Sequence, residues 1–341
     1  MAEATKRYAV VTGANKGIGF AICKQLASKG ITVVLTARDE RRGLEAVEKL
    51  KQLSLTGLVD FHQLDVTDHA SIRSFVDFIH KQFGKLDILV NNAGIPGAHV
   101  NSKAMADANI VEKGGQIDWS KILTETYEET EAGIKTNYYG AKELTQALIP
   151  LLQLSTSPKI VNVSASMGKL EKIPNGWPKE VLSDVENLTE EKIEEVLNQF
   201  LKDFKEGSLE NKGWPIHLFA YIISKIALNA YTRVMAKKYP SICINAVCPG
   251  HVKTDTNNTG YLTPDEGAES IVRLALLCHG DAPYFVLESL AFVGCGSSLG
   301  GPDWPEVGVS ILSVCPLSIQ SIEKFIHPIH PLVKKLVNGL D

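Results

Sequence analysis

Short apolar runs alternate with helical patterns along most of the chain. Tyr8-Ala9-Val10-Val11 is apolar throughout and of strand length, and it breaks at Thr12-Gly13-Ala14-Asn15-Lys16-Gly17-Ile18-Gly19. A helical pattern follows through Ala27. Ile31 to Leu35 reads as a second strand, and Arg41 to Leu53 as a polar amphipathic helix. Val59 to Leu64 reads as a third strand, ending at Asp65. Ile72, Phe75, Val76 and Ile79 then share one helix face. A fourth strand, Leu86 to Val90, ends at Asn91-Asn92-Ala93-Gly94. Ile160 to Val163, Ile242 to Val247 and a final Tyr284-Phe285-Val286 complete the set. Strands separated by helix-length segments predict βαβ units and a parallel sheet. Strands buried on both faces should be apolar at nearly every position, as these are. The pattern therefore predicts an α/β fold, a doubly wound parallel sheet of the Rossmann type.

Three stretches break the rhythm. Residues 95–119 are long and hold Gly97, Gly114 and Gly115, which suggests a flap. Residues 167–215 hold a helix with Ile193, Val196, Leu197, Phe200, Leu201 and Phe204 at helical spacing. Thr189 is its candidate cap, and Glu190 and Glu191 sit where the helix dipole favours acids. Residues 289–341 are rich in Gly, Ser and Pro, with isolated apolar residues and no period.

Composition narrows the class. Hydrophobic residues make up 44% and charged residues 22%, which is globular and not disordered. Lys and Arg number 35 against 39 Asp and Glu, a net charge of −4. That balance offers no electrostatic footprint for nucleic acid or an anionic membrane. None of the six cysteines forms a C-x-x-C pair, so they read as reduced thiols rather than a disulfide framework or metal site. No apolar run reaches the length of a membrane span, and Met1 to Arg7 reads as neither signal nor transit peptide. A soluble, cytoplasmic protein is the expectation.

The glycine turn is the first sign of chemistry. Gly13, Gly17 and Gly19 lie between a strand and a helix, where glycines let the backbone approach a pyrophosphate at the positive end of the helix. The spacing is G-x-x-x-G-x-G. A carboxylate at the end of the second strand would bind the ribose 2′-hydroxyl of NAD. Here the strand runs Leu35-Thr36-Ala37-Arg38, and the Arg38 fork suits a 2′-phosphate instead. Lys16 offers a second cation, and Asp39 either opposes a phosphate or caps the next helix. NADP(H) is the expected cofactor.

In order, the chain carries Thr12-Gly13-x-x-x-Gly17-Ile18-Gly19, Asp65, Asn91-Asn92-Ala93-Gly94, Asn137, Tyr221-x-x-x-Lys225 and Pro249-Gly250. With these motifs it resembles the short-chain dehydrogenase/reductase family over roughly residues 5–287. Gly213-Trp214-Pro215, Asn137-Tyr138-Tyr139-Gly140 and the long stretch before Tyr221 are similar to its plant monomeric carbonyl reductases, the group of salutaridine reductase and the menthone and neomenthol reductases. The resemblance implies hydride transfer between NADPH and a carbonyl or alcohol, with Tyr221 as general acid and Lys225 lowering its pKa while holding the ribose. It implies that Asn137 holds a relay water, that Asp65 with Val66 meets the adenine, and that Asn91 ties the sheet. It also implies that Asn15, Ile18, Ala93, Gly94, Pro249, Val252 and Thr254 line the cofactor.

One position departs from the family. Counting back from Gly168, the serine that would bond the substrate carbonyl falls at 165, and Ser164-Ala165-Ser166 puts alanine there. One lost oxyanion donor costs about 10²–10³ in rate. Neighbouring side chains of a strand point to opposite faces, so Ser166, in the following loop, is the better substitute donor.

Two function classes follow. One is an NADP-dependent reductase of a bulky hydrophobic ketone, terpenoid- or alkaloid-like, under a lid with Trp177, Trp214, Ile216 and Phe219 nearby. The other is a cofactor-binding protein with little catalysis. The helix within 167–215 would cover the face through which relatives pair, so a monomer is expected. The domain reading is one unit over 5–287, with insertions at 95–119 and 167–215, and an unassigned tail at 289–341.

Overall fold

The runs Tyr8–Val11, Ile88–Asn91 and the core of Thr32–Ala37, apolar at nearly every position, form buried strands, because such a segment has no side to turn toward water. Val59–Gln63, with Asp60, His62 and Gln63, is only part-buried. The computed structural model describes residues 6–55, 58–101, 104, 119–173, 175–215, 217–255, 259–276 and the backbone of 286–287. The strands are β1 (Tyr8–Val11), β2 (Thr32–Ala37), β3 (Val59–Gln63), β4 (Ile88–Asn91), β5 (His99–Val100), β6 (Leu123–Thr124), β7 (Lys159–Val163), β8 (Cys243–Val247) and β9 (Val286–Leu287). Seven of them form one parallel sheet in the order β3-β2-β1-β4-β7-β8-β9, while β5 and β6 make a separate antiparallel ribbon. Of the expected final strand Val286 is described, paired within β9, while Tyr284 and Phe285 lie outside the described residues.

The helices are α1 (Gly17–Ala27), α2 (Glu40–Gln52), α3 (His69–Phe83), α4 (Trp119–Ile122), α5 (Tyr127–Ile134), α6 (Ala141–Leu152), α7 (Trp177–Ser183), α8 (Glu190–Lys205), α9 (Phe219–Lys238) and α10 (Pro264–Leu276). A six-residue π-turn, Lys135–Gly140, joins α5 to α6. Four starts follow the sequence logic closely. Asp39, Asp68, Thr126 and Thr189 each accept a backbone N–H of the first turn of α2, α3, α5 and α8.

Alternation along the strands divides the core in two. Val10, Val34, Leu89 and Ile160 face one cluster with α3, α5, α6, α8 and α9. Val11, Leu35, Val90 and Val161 face the other with α1, α2 and α10. Each such buried aliphatic side chain contributes roughly 1.5–3 kcal/mol. The strand order reverses between β1 and β4, so the crevice at their carboxyl ends is the expected ligand position in a doubly wound sheet.

The described part of the long insertion lies against α6 and α9. Glu190 takes bonds from Gln146 (2.6 Å) and Lys238 (3.0 Å), and Glu194 pairs with Lys142. Phe200, Trp214, Phe219 and Phe204 pack ring against ring beneath it. Trp214 is buried, so it fastens the insertion to the body instead of lining an open pocket. Ile216, residues 102, 103 and 105–118 of the 95–119 flap, and the 289–341 tail lie outside the described residues. Among the described residues no helix is long and apolar enough to cross a membrane.

Candidate active site

Four strand ends converge on the crevice. After β1 comes Thr12-Gly13, after β4 Asn92-Ala93-Gly94, after β7 Ser164-Ala165, and after β8 Cys248-Pro249-Gly250. The glycines are there for space. Gly13 has φ +60°, and a Cβ on it would sit 2.9 Å from Ala93 Cα. A Cβ on Gly19 would meet Asn92 Nδ2 at 2.5 Å and the Gly13 carbonyl at 2.8 Å. The turn therefore brings backbone to backbone, and α1 starts at Gly17 with no side chain capping its first N–H groups and no acid in its first turn. Those N–H groups and the dipole suit a pyrophosphate. Thr254 closes the far side, its Cγ2 lying 3.5 Å from where a Gly17 Cβ would be.

Thr12 holds the two loops together. Its Oγ1 accepts the N–H groups of Asn92 and Ala93, both at 2.9 Å. Asn91 spans the sheet below, donating to Thr145 Oγ1 (2.9 Å) and Asn162 Oδ1 (2.8 Å), and Asn162 continues to Thr232 (2.9 Å). Asp65 Oδ1 accepts from the N–H (2.9 Å) and the hydroxyl (2.7 Å) of Thr67, which leaves Oδ2 for another donor. Val66 is buried against Gly140. Val252 is buried against Gly267 on the other side of the crevice.

The two cations expected near a phosphate differ. Arg38 is exposed at the end of β2, and its guanidinium has no partner among the described residues. Asp39 caps α2 through Arg42 N–H at 2.9 Å, which settles which of its two roles it plays within the chain. Lys16 is paired with Asp255 at 3.0 Å, an exposed pair that half-neutralises it.

The catalytic candidates meet on α9. Lys225 is buried and donates to the Val163 carbonyl at 2.7 Å. Its Nζ lies 5.6 Å from the centre of the half-buried Tyr221 ring. Burial pushes the Tyr221 phenol up to about 12, with a smaller push from the Cys248 thiol. Burial also draws the Lys225 ammonium down to about 8. Within the chain the tyrosine is thus raised and not lowered, with burial as the first cause, while the Lys225 ammonium is directed at the Val163 carbonyl.

Asn137 sits in the π-turn, a distortion common at functional sites. Its Oδ1 accepts from Ile95 N–H (2.8 Å), and its Nδ2 donates to Ile95 O (2.9 Å) and Ser224 Oγ (2.9 Å). Both amide hydrogens are used, so a relay water at this residue would be held by the second lone pair of Oδ1 or by the main-chain carbonyl. Gly94 fits against this group: a Cβ there would lie 3.2 Å from Asn137 Oδ1 and 3.6 Å from Lys225 Nζ.

Ala165 is extended at the end of β7, and its carbonyl takes the Gly168 N–H at 2.8 Å. Ser166 opens the short turn that follows and is exposed, free to reach a ligand. Asn229, one turn beyond Lys225, fastens that turn through the Gly168 carbonyl at 2.9 Å. Ser164 is buried, and its Oγ has no partner among the described residues.

Sequence reasoning did not assign roles to Thr12, Ser224, Asn162 or Glu125. Asn162 was accessible in principle, since it lies in register with Asn91 on the neighbouring strand. Glu125 was not: its carboxylate reaches the start of α9, more than ninety residues on.

A family model described as short chain dehydrogenase matches residues 7–176. The chain is 60% identical over 287 residues to (+)-neomenthol dehydrogenase of Arabidopsis thaliana, covering 83% of this chain and 96% of that one. Its fold is similar to that of salutaridine reductase from Papaver somniferum, with TM-score 0.75 and 51% identity over 80% of this chain and 96% of that chain. It is also similar to menthone neomenthol reductase from Mentha piperita, with TM-score 0.73 and 52% identity over 81% and 96%.

Proposed function

The chain belongs to the short-chain dehydrogenase/reductase family, and from that premise we propose that it reduces the carbonyl of a bulky hydrophobic small molecule with NADPH. The observation that carries this reading is the meeting of Tyr221, Lys225, Asn137 and Gly94 beside the uncapped start of α1. The glycine cradle fits a nicotinamide dinucleotide, because any side chain at Gly13 or Gly19 would fill it. Arg38, whose guanidinium has no partner among the described residues, supports the 2′-phosphorylated form. When bound, NADPH supplies the hydride. Tyr221 then gives its proton to the developing alkoxide oxygen. A phenol held at about 12 is protonated at neutral pH, the state a general acid needs in the direction of reduction. Lys225 holds the ribose hydroxyls, and Ser166 is the candidate donor to the carbonyl oxygen in place of Ala165.

Relatives named for neomenthol, menthone and salutaridine support a terpenoid- or alkaloid-like ketone as the substrate class. They give no support to the alternative of cofactor binding with little catalysis. The catalytic unit is read as residues 5–287. A monomer is part of the proposal, since α8 lies across α6 and α9. So is a reducing, cytoplasmic setting, consistent with free Cys23, Cys243 and Cys248. Tyr221→Phe tests the reading: kcat should fall by about 10²–10⁴ with NADPH affinity kept. An unchanged kcat would remove Tyr221 from the chemistry.

A further inference from the structure

The helix that carries Tyr221 has an unusual start. Leu218 precedes it with φ +50°, a left-handed conformation that costs a branched residue energy, and supplies no side-chain cap. The first N–H groups are satisfied from elsewhere in the chain. Glu125 Oε2 accepts from Leu218 N–H at 3.2 Å, and Oε1 accepts from Phe219 N–H at 3.1 Å. One carboxylate thus straddles the first turn, two residues ahead of Tyr221. At the other end of that turn, Ser224 Oγ donates to the Tyr221 carbonyl (2.9 Å) and is itself bonded by Asn137. Tyr221 is therefore held on both sides, by Glu125 in front and by the Asn137–Ser224 pair behind.

Glu125 lies between β6 and the cap of α5, Thr126. We propose that Glu125 is a positioning residue, whose ionised carboxylate fixes the first turn of α9 and with it the direction of the Tyr221 hydroxyl. The proposal rests on the reading of Tyr221 as the proton donor, although the clamp itself does not.

Burial pushes the Glu125 carboxyl up to about 7, opposed by the two N–H bonds and reinforced by Glu129. The other ionisable groups on the segments that meet here are Lys121, Tyr127, Glu128 and Glu131, the last bonded by the Tyr127 hydroxyl, His217 just ahead of the cap, Tyr221 and Lys225 of α9, and Lys205 of α8, which lies over the Tyr127 ring. A carboxyl raised in the folded state costs stability as pH rises from its ordinary value of 4.5 to about 7. A role in folding alone would favour the neutral isostere. A role in positioning requires the charge, since a protonated carboxyl cannot accept two N–H bonds equally well.

The test is Glu125→Gln beside the unaltered protein. Amide hydrogen exchange of a 217–223 peptide, corrected for intrinsic rate, should show protection rising in the unaltered protein as pH passes 7. In E125Q it should be lower and flat with pH. Steady-state ketone reduction by E125Q should show kcat lowered about tenfold, as a lost cap plus a small misplacement would give. The acid-side fall in kcat should disappear, with NADPH affinity within twofold and melting no lower at pH 8. Equal protection in both proteins at every pH overturns the clamp, whatever the activity. Lowered protection with kcat and its pH profile unchanged overturns the positioning role. Because exchange needs no substrate, failure of the clamp is told apart from failure of the reductase reading, which Tyr221→Phe addresses.

Discussion

Arg38 offers the sharpest test of cofactor choice. Arg38 and Lys16 are the two cations proposed to meet a 2′-phosphate, and their surroundings give them unequal weight. Arg38 has a guanidinium with no partner among the described residues, whereas Lys16 is already held by Asp255 at 3.0 Å. A charge-assisted bond contributes about 1.5–3 kcal/mol. Arg38 is exposed, so solvent and salt bring its share to the lower end of that range. Each 1.4 kcal/mol is a factor of ten, so Arg38→Ala should weaken NADPH about 10–30-fold. Lys16→Ala should weaken it only about twofold to threefold, because Asp255 must first give up the lysine. NADH, lacking the phosphate, should bind R38A as it binds the unaltered protein. Titration of the bound nicotinamide's fluorescence measures all five affinities, three for NADPH and two for NADH. Equal losses of NADPH and NADH in R38A would refute the reasoning, since Arg38 would then not be reading the phosphate. A larger loss in K16A than in R38A would refute the ranking.

Two further outcomes are expected. Lys225 has a folded pKa of about 8 against its ordinary 10.5, so between those values the unfolded chain holds a proton that the folded one has lost. Stability at Lys225 therefore rises with pH across that window, and Lys225→Met should melt no lower than the unaltered protein at pH 7, with any advantage shrinking toward pH 10 in a series of thermal scans. Ala165→Ser restores a donor at the end of β7: if Ser166 already serves the carbonyl oxygen, A165S should change kcat by less than tenfold while Ser166→Ala lowers it by about 10². A large gain from A165S with no loss from S166A would show that position 165 is the one that faces the substrate.

The sheet and the glycine turn were legible in the sequence because each depends on neighbours in the chain. Tyr8 to Val11 is apolar at each position, and Gly13 and Gly17 turn with φ of +60° and +57°, which glycine itself signals. Helix α8 was legible down to its cap, Thr189. What was not legible depends on partners far away. Asp203 reads as part of the polar face of α8, yet it is buried and accepts from Trp214 Nε1 (2.8 Å), Lys212 (2.7 Å) and Gln199 (2.6 Å). The π-turn around Asn137 leaves no mark in Lys135-Thr136-Asn137-Tyr138-Tyr139-Gly140 beyond the asparagine itself. Glu125 sits among Thr124, Thr126 and Glu128 and looks like any solvated acid.

Several departures from ordinary packing lie near Tyr221. A left-handed leucine opens α9, a π-turn interrupts α5 and α6, an ammonium is buried at Lys225, and Ser164 Oγ and Asn229 Oδ1 have no partners among the described residues. Departures occur elsewhere too, at Ser54 with φ +63° and at the buried Lys159, so what distinguishes the group around Tyr221 is its chemistry and not strain alone. Burial that depresses the Lys225 ammonium is unfavourable to folding at neutral pH, whereas the raised Tyr221 phenol stays protonated in folded and unfolded chain alike and carries no such cost there. An anionic cofactor would favour the charged lysine, and the charged lysine would in turn favour the tyrosinate left after proton transfer. On the proposed reading the cost of burying Lys225 is offset when the cofactor is bound, as expected where a fold gives up stability for chemistry.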